Sequence, residues 1–383
     1  MRHLLELHRE NQIDTRQACE QLGLSKSAFH QLRTSYLLAC ASAQQHLWEP
    51  RSSGGAHHQP WPMAAQELAH KLLKSDPPAS YSLVASELHR RIPFETDRSS
   101  VRRWALSNGC AQPKRLLRRN QRASVRRWQR QSIGELWQMD ATPHAFVPGM
   151  ETKWHLIEIL DDCSRLVTGA RLYEREVLLS YYDLLPRAFL QHGLPLALYV
   201  DYHSFFYTHT PDALTELGAA LRFYEVSLQY APTPQAKGKI ERLHYFWQNR
   251  LPALFGAEAI REIEPANALL EDLCKHHNSE EIHRELDMTP QHAWNLARRA
   301  KRNTLRPCRP DPWWHYIWSR RSNIRVGDDG RVPIGGQRFA VAAPPRSRLI
   351  HCLHTNGSIS ILAKKPLKSE RPRVLLHVGK KLE

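Results

Sequence analysis

A-P-T-P-Q-A-K-G-K-I-E-R-L-H-Y-F-W, residues 231–247, is the stretch from which the rest of the chain can be read. Thr233 followed by Pro234 predicts a helix start, because the hydroxyl can cap free N–H groups and proline has none to leave unpaired. Ile240, Leu243, Trp247 and Leu251 then recur at helical spacing as one apolar stripe. Glu241 stands at the edge of that stripe, with Lys237, Lys239 and Arg242 around it. A carboxylate so placed suits a metal ligand beside a polyanion. A solvated helix face of mixed charge would read the same way from this stretch alone.

Upstream, the pattern changes to strands. Residues 135–147 (E-L-W-Q-M-D-A-T-P-H-A-F-V), 153–160 (K-W-H-L-I-E-I-L) and 166–174 read as three strands joined by short turns, hence an antiparallel meander. A helix over 176–192, stopped by Gly193 and Pro195, leads to a short buried-type strand over 196–200 and then Asp201. A helix over 210–221, a strand over 222–230 and the Glu241 helix complete an α/β layered domain with a mixed sheet.

Asp140 lies on the first of these strands among Trp137, Met139 and Phe146, and Asp201 follows Leu198-Tyr199-Val200. A charged carboxylate near a sheet core is costly unless it is paired or bound to cations. Acids from a first strand, a later strand end and a helix start can converge on one point. There Asp140, Asp201 and Glu241 could hold two Mg²⁺ ions about 3.5–4 Å apart, which activate a nucleophile and stabilise the leaving oxygen in phosphodiester displacement. Such oxygen ligands suit hard Mg²⁺, with Mn²⁺ as a substitute. Asp161 and Asp162 are rival ligands, but at a strand end before Cys163-Ser164-Arg165 they fit turn capping or an ion pair with Arg165. His144 is near Asp140 and fits a hydrogen-bonded structural role.

The N-terminal third is different in kind. Residues 1–133 carry 21 Lys/Arg against 10 Asp/Glu, so +11 of the formal net charge of +16 lies there, which points to nucleic acid as the partner. Residues 14–36 (D-T-R-Q-A-C-E-Q-L-G-L-S-K-S-A-F-H-Q-L-R-T-S-Y) read as two short helices broken at Gly23, a helix-turn-helix pattern exposing Lys26, His30, Gln31 and Arg33. Residues 41–60 read as a linker. A second such unit has a helix over 81–91 and another opening at Asp97, with Arg98, Arg102 and Arg103 on its polar side. An ordinary helical hairpin would give the same pattern in any single unit; two in tandem within a basic region favour DNA binding. Between Arg98 and Gly134 no residue is acidic, and the run containing Lys114, Arg115, Arg118, Arg119, Arg122, Arg126, Arg127 and Arg130 reads as an arm along phosphates.

Beyond the core, residues 256–305 are helical, firmest at 267–277 and 290–301. Short strands at 324–326, 331–334, 337–341, 348–353 and 358–362 then suggest a small barrel. Its Lys364, Lys365, Lys368, Arg371 and Arg373 suit a supporting role in DNA binding, and a solvated basic tail would look identical.

W-Q-M-D-A-T-P-H, L-Y-V-D and P-Q-A-K-G-K-I-E-R together resemble the integrase core of DDE transposases and integrases from insertion sequences and retroviruses. Asp140, Asp201 and Glu241 match the three family acids, 61 and then 40 positions apart. L-D-D-C-S-R-L-V and H-N-S-E-E-I-H-R-E-L-D-M-T-P (277–290) extend the likeness. The family often has Asn-Gly after its second acid and glycine after its first; here Tyr202-His203 and Ala141 stand there. The resemblance implies a ribonuclease-H-like catalytic core with a mixed sheet, a helix-turn-helix N-terminal region and a small C-terminal β-barrel. Seven regions follow: a first DNA-binding unit (1–40), linker (41–60), second unit (61–112), basic arm (113–133), catalytic core (134–255), helical extension (256–305) and barrel (306–383). It also implies metal-dependent cleavage at transposon ends and strand transfer into target DNA by a polynucleotidyl transferase. The partners are double-stranded DNA and further copies of this chain assembled on it; a helper ATPase is left open. Lys237 and Lys239 fit contacts to DNA phosphates, and a solvated role would read the same way. A non-catalytic DNA-binding regulator and a nuclease of the same fold are the alternatives.

The remaining composition sets bounds. A chain of 383 residues, 42% hydrophobic and 24% charged, is long enough for two to four domains with their own cores. No apolar run approaches the roughly 20 residues of a membrane span, and Met1-Arg2-His3 opens no signal peptide. Seven scattered cysteines offer neither a disulfide framework nor zinc pairs, which fits a reducing cytoplasm.

Overall fold

A computed structural model of the protein describes residues 1–41, 48–49, 60–92, 94–111, 129–210, 213–232, 237–363 and 372–379. The chain forms two compact units, Met1–Pro62 and Met63–Glu383.

The first unit contains α1 (Arg2–Arg9), α2 (Thr15–Leu22) and α3 (Lys26–Ala41). Asp14 and Gln17 close a capping box at the start of α2, the Gln17 N–H donating to Asp14 Oδ1 at 2.7 Å and the Asp14 N–H to Gln17 Oε1 at 2.9 Å. Gly23 ends α2 at φ 63°, a conformation that penalises a side chain. Leu5, Ala18, Phe29 and Tyr36 are the buried core, so α1, absent from the sequence reading, closes over the expected helix pair.

The second unit opens with α4 (Met63–Leu73), α5 (Tyr81–Arg91) and α6 (Arg98–Ser107). Ser80 caps α5 and Asp97 caps α6, each accepting from the N–H three residues on. The strands are β1 (Trp137–His144), β2 (Trp154–Asp161), β3 (Val167–Tyr173), β4 (Ala197–Val200) and β5 (Ser227–Tyr230), with α7 (Leu178–His192) and α8 (Glu216–Phe223) between them. Their order is β3-β2-β1-β4-β5; the first three run antiparallel, and β4 and β5 are parallel to β1. This is the mixed sheet expected. One boundary differs: residues 222–226 were expected to begin a strand, yet α8 continues through Phe223 and β5 begins at Ser227. Thr215 caps α8, and Leu217, Ala220 and Leu221 bury a helical stripe that overrides the strand-like composition.

Then come α9 (Gly238–Gln248), α10 (Leu251–Ala257), α11 (Ile263–Ser279) and α12 (Pro290–Arg299). The expected start of α9 at Thr233-Pro234 falls outside the described residues. α11 covers the edge of the sheet through two amides. Asn267 Oδ1 accepts from the Leu172 N–H at 2.7 Å while its Nδ2 donates to the Leu172 carbonyl at 2.9 Å, and Asn278 does the same with Val167 at 3.0 Å each way. Backbone groups of an edge strand are thereby satisfied without another strand.

The C-terminal segment holds α13 (Trp314–Ile317), β6 (Arg320–Arg325), β7 (Arg331–Ile334), β8 (Gln337–Ala340), β9 (Arg348–Leu353), β10 (Ile359–Leu362) and β11 (Val374–Val378). Where a barrel was expected, the described residues form an antiparallel sheet, β11-β10-β9-β6, and a separate β7–β8 hairpin. The two share one small core of Val326, Val332, Ile334, Leu349 and Ile361. Trp318, stacked on Tyr224 at 5.5 Å, ties this segment to the core around α7 and α8.

Candidate active site

β1 and β4 pair with Trp137 opposite Leu198 and Gln138 opposite Tyr199. Continued by two residues, this register sets Asp140 level with Asp201, which follows the last residue of β4. The 61-residue spacing of the two acids is thus a consequence of parallel strand pairing. Asp140 lies midway along β1 and Asp201 just beyond the carboxyl end of β4, at the junction where the sheet changes from antiparallel to parallel, close to the kind of crevice in which α/β proteins bind ligands.

The third contributor is α9, packed against β1 and β2. Lys237, Glu241, His244 and Gln248 recur at intervals of four, three and four, so they share one face. Lys237, only 4% exposed, places its Nζ 2.7 Å from Asp140 Oδ1 and 3.6 Å from Asp201 Oδ2. His244 Nε2 is 3.3 Å from Asp140 Oδ2, and its Nδ1 meets Glu158 on β2. Gln248 Nε2 donates to Thr142 Oγ1 at 2.9 Å, fixing the far end of the helix to β1.

The electrostatics follow from this geometry. Burial opposes ionisation of Asp140, but the His244 hydrogen bond and the Lys237 charge outweigh it and hold the carboxyl below its ordinary value. Burial likewise opposes protonation of His244, yet Glu158 and Asp140, facing its two nitrogens, raise it to about 9. Burial pushes Glu158 up against the pull of His244. Of these two, the rise at His244 is dictated by geometry, since an imidazole between two carboxylates is most stable as the cation.

Glu241 is placed differently from the other two acids. It lies in the first turn of α9, on the same face as Lys237, but is exposed. Among the described residues no group of three His, Cys, Asp or Glu side chains gathers to hold a metal ion. What is assembled is a two-carboxylate cradle, Asp140 and Asp201, with an ammonium as a stand-in cation. Its donors fit a hard divalent cation, because they are carboxylate oxygens already holding positive charge between them.

No family model matches the chain. It is 35% identical over 144 residues to the transposase for insertion sequence IS1202 of Streptococcus pneumoniae, covering 36% of this chain and 30% of that protein. It is 28% identical over 225 residues to y4bF of Sinorhizobium fredii, also named a transposase, covering 55% and 48%. Both of these relatives are named as transposases. The chain spans less than half the length of each of these curated relatives. Among solved structures, the HTLV-2 integrase catalytic core domain in complex with magnesium aligns with TM-score 0.34 and 16% identity, over 42% of this chain and 95% of that one. A simian T-cell lymphotropic virus intasome in complex with a PP2A regulatory subunit aligns with TM-score 0.38 and 15% identity, over 76% and 95%.

The other candidate residues fall into place around the acids. Asp161 is a turn cap, accepting from the Ser164 N–H at 2.8 Å, Ser164 Oγ at 2.7 Å and the Gly134 N–H at 2.9 Å. Asp162 accepts from Gln138 Nε2 and the Arg130 N–H, each at 2.7 Å, and pairs with Lys239. Arg165 donates to the Asp162 carbonyl and faces Glu285 at 3.9 Å, in place of the expected ion pair with either aspartate. Lys237 and Lys239, expected on DNA phosphates, are therefore both engaged with carboxylates of the protein. His144 packs edge-on against Phe146 at 5.0 Å, as a structural histidine does.

Lys26, Gln31, Arg98, Arg102 and Arg103 are exposed on α3 and α6, while Arg33 is half-buried. Arg118 and Arg119 lie outside the described residues, as do Lys364, Lys365, Lys368 and Arg371. His244 and Glu158 were not singled out from sequence. The available signals were a histidine three residues after Glu241 and an acid inside the apolar run L-I-E-I-L.

Proposed function

We propose that this chain is a DNA transposase, a polynucleotidyl transferase that cleaves at transposon ends and joins them to target DNA. The observation that carries the reading is the pairing of Asp140, on β1, and Asp201, just after β4, around a single positive charge on two adjacent parallel strands. Similarity to named insertion-sequence transposases supports it. Asp140, Asp201 and Glu241 would hold Mg²⁺ or Mn²⁺, two ions in the full site. When bound, such ions activate the attacking oxygen and neutralise charge on the leaving one.

The protein's own residues orient the site. His244 holds one oxygen of Asp140 and Lys237 the other, so this carboxylate is ionised and fixed in direction. Lys237 keeps two neighbouring carboxylates together where they would otherwise repel. Lys26, Gln31, Arg33, Arg98, Arg102 and Arg103, with Arg118 and Arg119, would grip the DNA, largely through phosphates. Action on two transposon ends calls for several copies of the chain on one DNA.

The test uses the purified chain, DNA ends taken from the flanks of its gene, and Mg²⁺ or Mn²⁺. Nicking and end-joining that depend on metal and disappear in Asp140→Asn, Asp201→Asn and Glu241→Gln, with DNA binding retained, are expected. Cutting without joining would identify a nuclease. Binding without chemistry across many ends would identify a regulator.

A further inference from the structure

Tyr202 stands where the resembled family often has asparagine, immediately after Asp201. Its ring is stacked on Tyr230, with centroids 5.1 Å apart and planes within 16° of parallel. Tyr207 meets both rings edge-on, at 5.0 Å and 5.6 Å, and His209 meets Tyr207 in turn. Backbone geometry holds the group in place. The His203 N–H donates to Asp201 Oδ1 at 3.0 Å, the Tyr207 N–H to the His203 carbonyl at 3.0 Å, and the Tyr230 hydroxyl to the Phe206 carbonyl at 2.8 Å. Tyr230 is opposite Val200 in the β4–β5 register, so the stack grows from the strand end that Asp201 follows.

Despite these contacts Tyr202 remains 54% exposed. A tyrosine packed only for stability would gain by turning its apolar ring inward. Here the ring is braced on one side and open to solvent beside the cradle. An aromatic surface of that kind matches the flat face of a nucleobase. Bases inside a duplex have both faces covered by neighbours, so only an unpaired one can use it. The nearby exposed side chains His203, Ser204 and His209 carry no negative charge that would repel a phosphate backbone.

We propose that Tyr202, backed by Tyr230 and Tyr207, stacks an unpaired nucleobase of the DNA strand whose phosphodiester lies at Asp140 and Asp201. This rests on the DNA-processing role above and adds that the bound end is locally unpaired. Stacking on an aromatic side chain should give a preference of roughly fivefold or more for unpaired ends.

The experiment measures affinity of the full chain for a short duplex with a single-stranded overhang and for the same duplex blunt. A fluorescent adenine analogue at the first unpaired position reports stacking. The expected result is tighter binding of the overhang duplex and a quenched probe. Tyr202→Ala should bring the affinity ratio close to one and remove the quenching, while Tyr202→Phe, which retains the ring, restores both. An unaltered ratio in Tyr202→Ala would overturn the proposal, as would wild-type protein binding both duplexes alike. Wild-type protein binding neither duplex would instead overturn the DNA-processing role itself.

Discussion

Lys237 Nζ lies 2.7 Å from Asp140 Oδ1, inside the acid pair and nearly out of contact with solvent. A lysine at the start of a helix can ordinarily reach solvent, and this one is turned inward. Its ammonium supplies the charge that lets Asp140 and Asp201 stand close together, and it occupies space that a metal ion bound by the same oxygens would need.

Replacing it should therefore change metal binding more than DNA binding. In Lys237→Met, Mn²⁺ affinity measured by titration calorimetry should rise by roughly tenfold, about 1.4 kcal/mol, because the competing cation is gone. The metal-free variant should melt at lower temperature than wild type, since two carboxylates are left facing each other. Weaker or unaltered Mn²⁺ binding would show that the ammonium is a permanent part of the cradle.

The Asp140–His244–Glu158 chain should be as important for folding as for the site. Glu158 is fully buried, so Glu158→Ala removes one partner of a buried pair and leaves imidazolium charge behind. A loss of about 3–5 kcal/mol in urea unfolding is expected. Glu158→Gln keeps a hydrogen-bond acceptor and should lose distinctly less.

The amide clamp on β3 gives a simpler test. Asn267→Ala strands the Leu172 N–H and carbonyl at a covered sheet edge, and each unsatisfied group costs about 1–3 kcal/mol. Chemical unfolding should show a combined loss of about 2–6 kcal/mol. A loss under about 0.5 kcal/mol would mean that water replaces the amide there.

Acid should weaken the junction after α11. Burial opposes ionisation of Glu281, but His277 and Arg250 outweigh it and lower its carboxyl to about 2 from 4.5. A depressed folded value means that this stabilisation is complete above about pH 4.5 and fades as pH falls towards 2. The full shift corresponds to about 3 kcal/mol. Comparing melting temperatures at several pH values, Glu281→Gln should be less stable than wild type near neutrality, and the two should converge in acid.

Much of the architecture was legible because its signals are local. Strand alternation, the helix opening at Asp97, and breakers such as Gly23 and Gly193 depend on residues a few positions apart. Helix–strand competition over 222–226 was misjudged, because the deciding factor was burial of Leu217, Ala220 and Leu221 against elements distant in sequence. The edge of the sheet was equally hidden: nothing in Asn267 or Asn278 declares that its amide will replace a missing strand.

The candidate site divides the same way. Sequence alone singled out Asp140, Asp201 and Glu241, because acids on a first strand, after a later strand and at a helix start can converge on one point. Only the tertiary structure decided their surroundings. Parallel pairing of β1 with β4 made neighbours of two acids 61 residues apart, and docking of α9 chose Lys237 and His244 as their partners while leaving Glu241 exposed. The physical reason is that charge pairing in a low-dielectric interior depends on distances of a few ångströms, which strand register and helix docking set and local sequence does not encode.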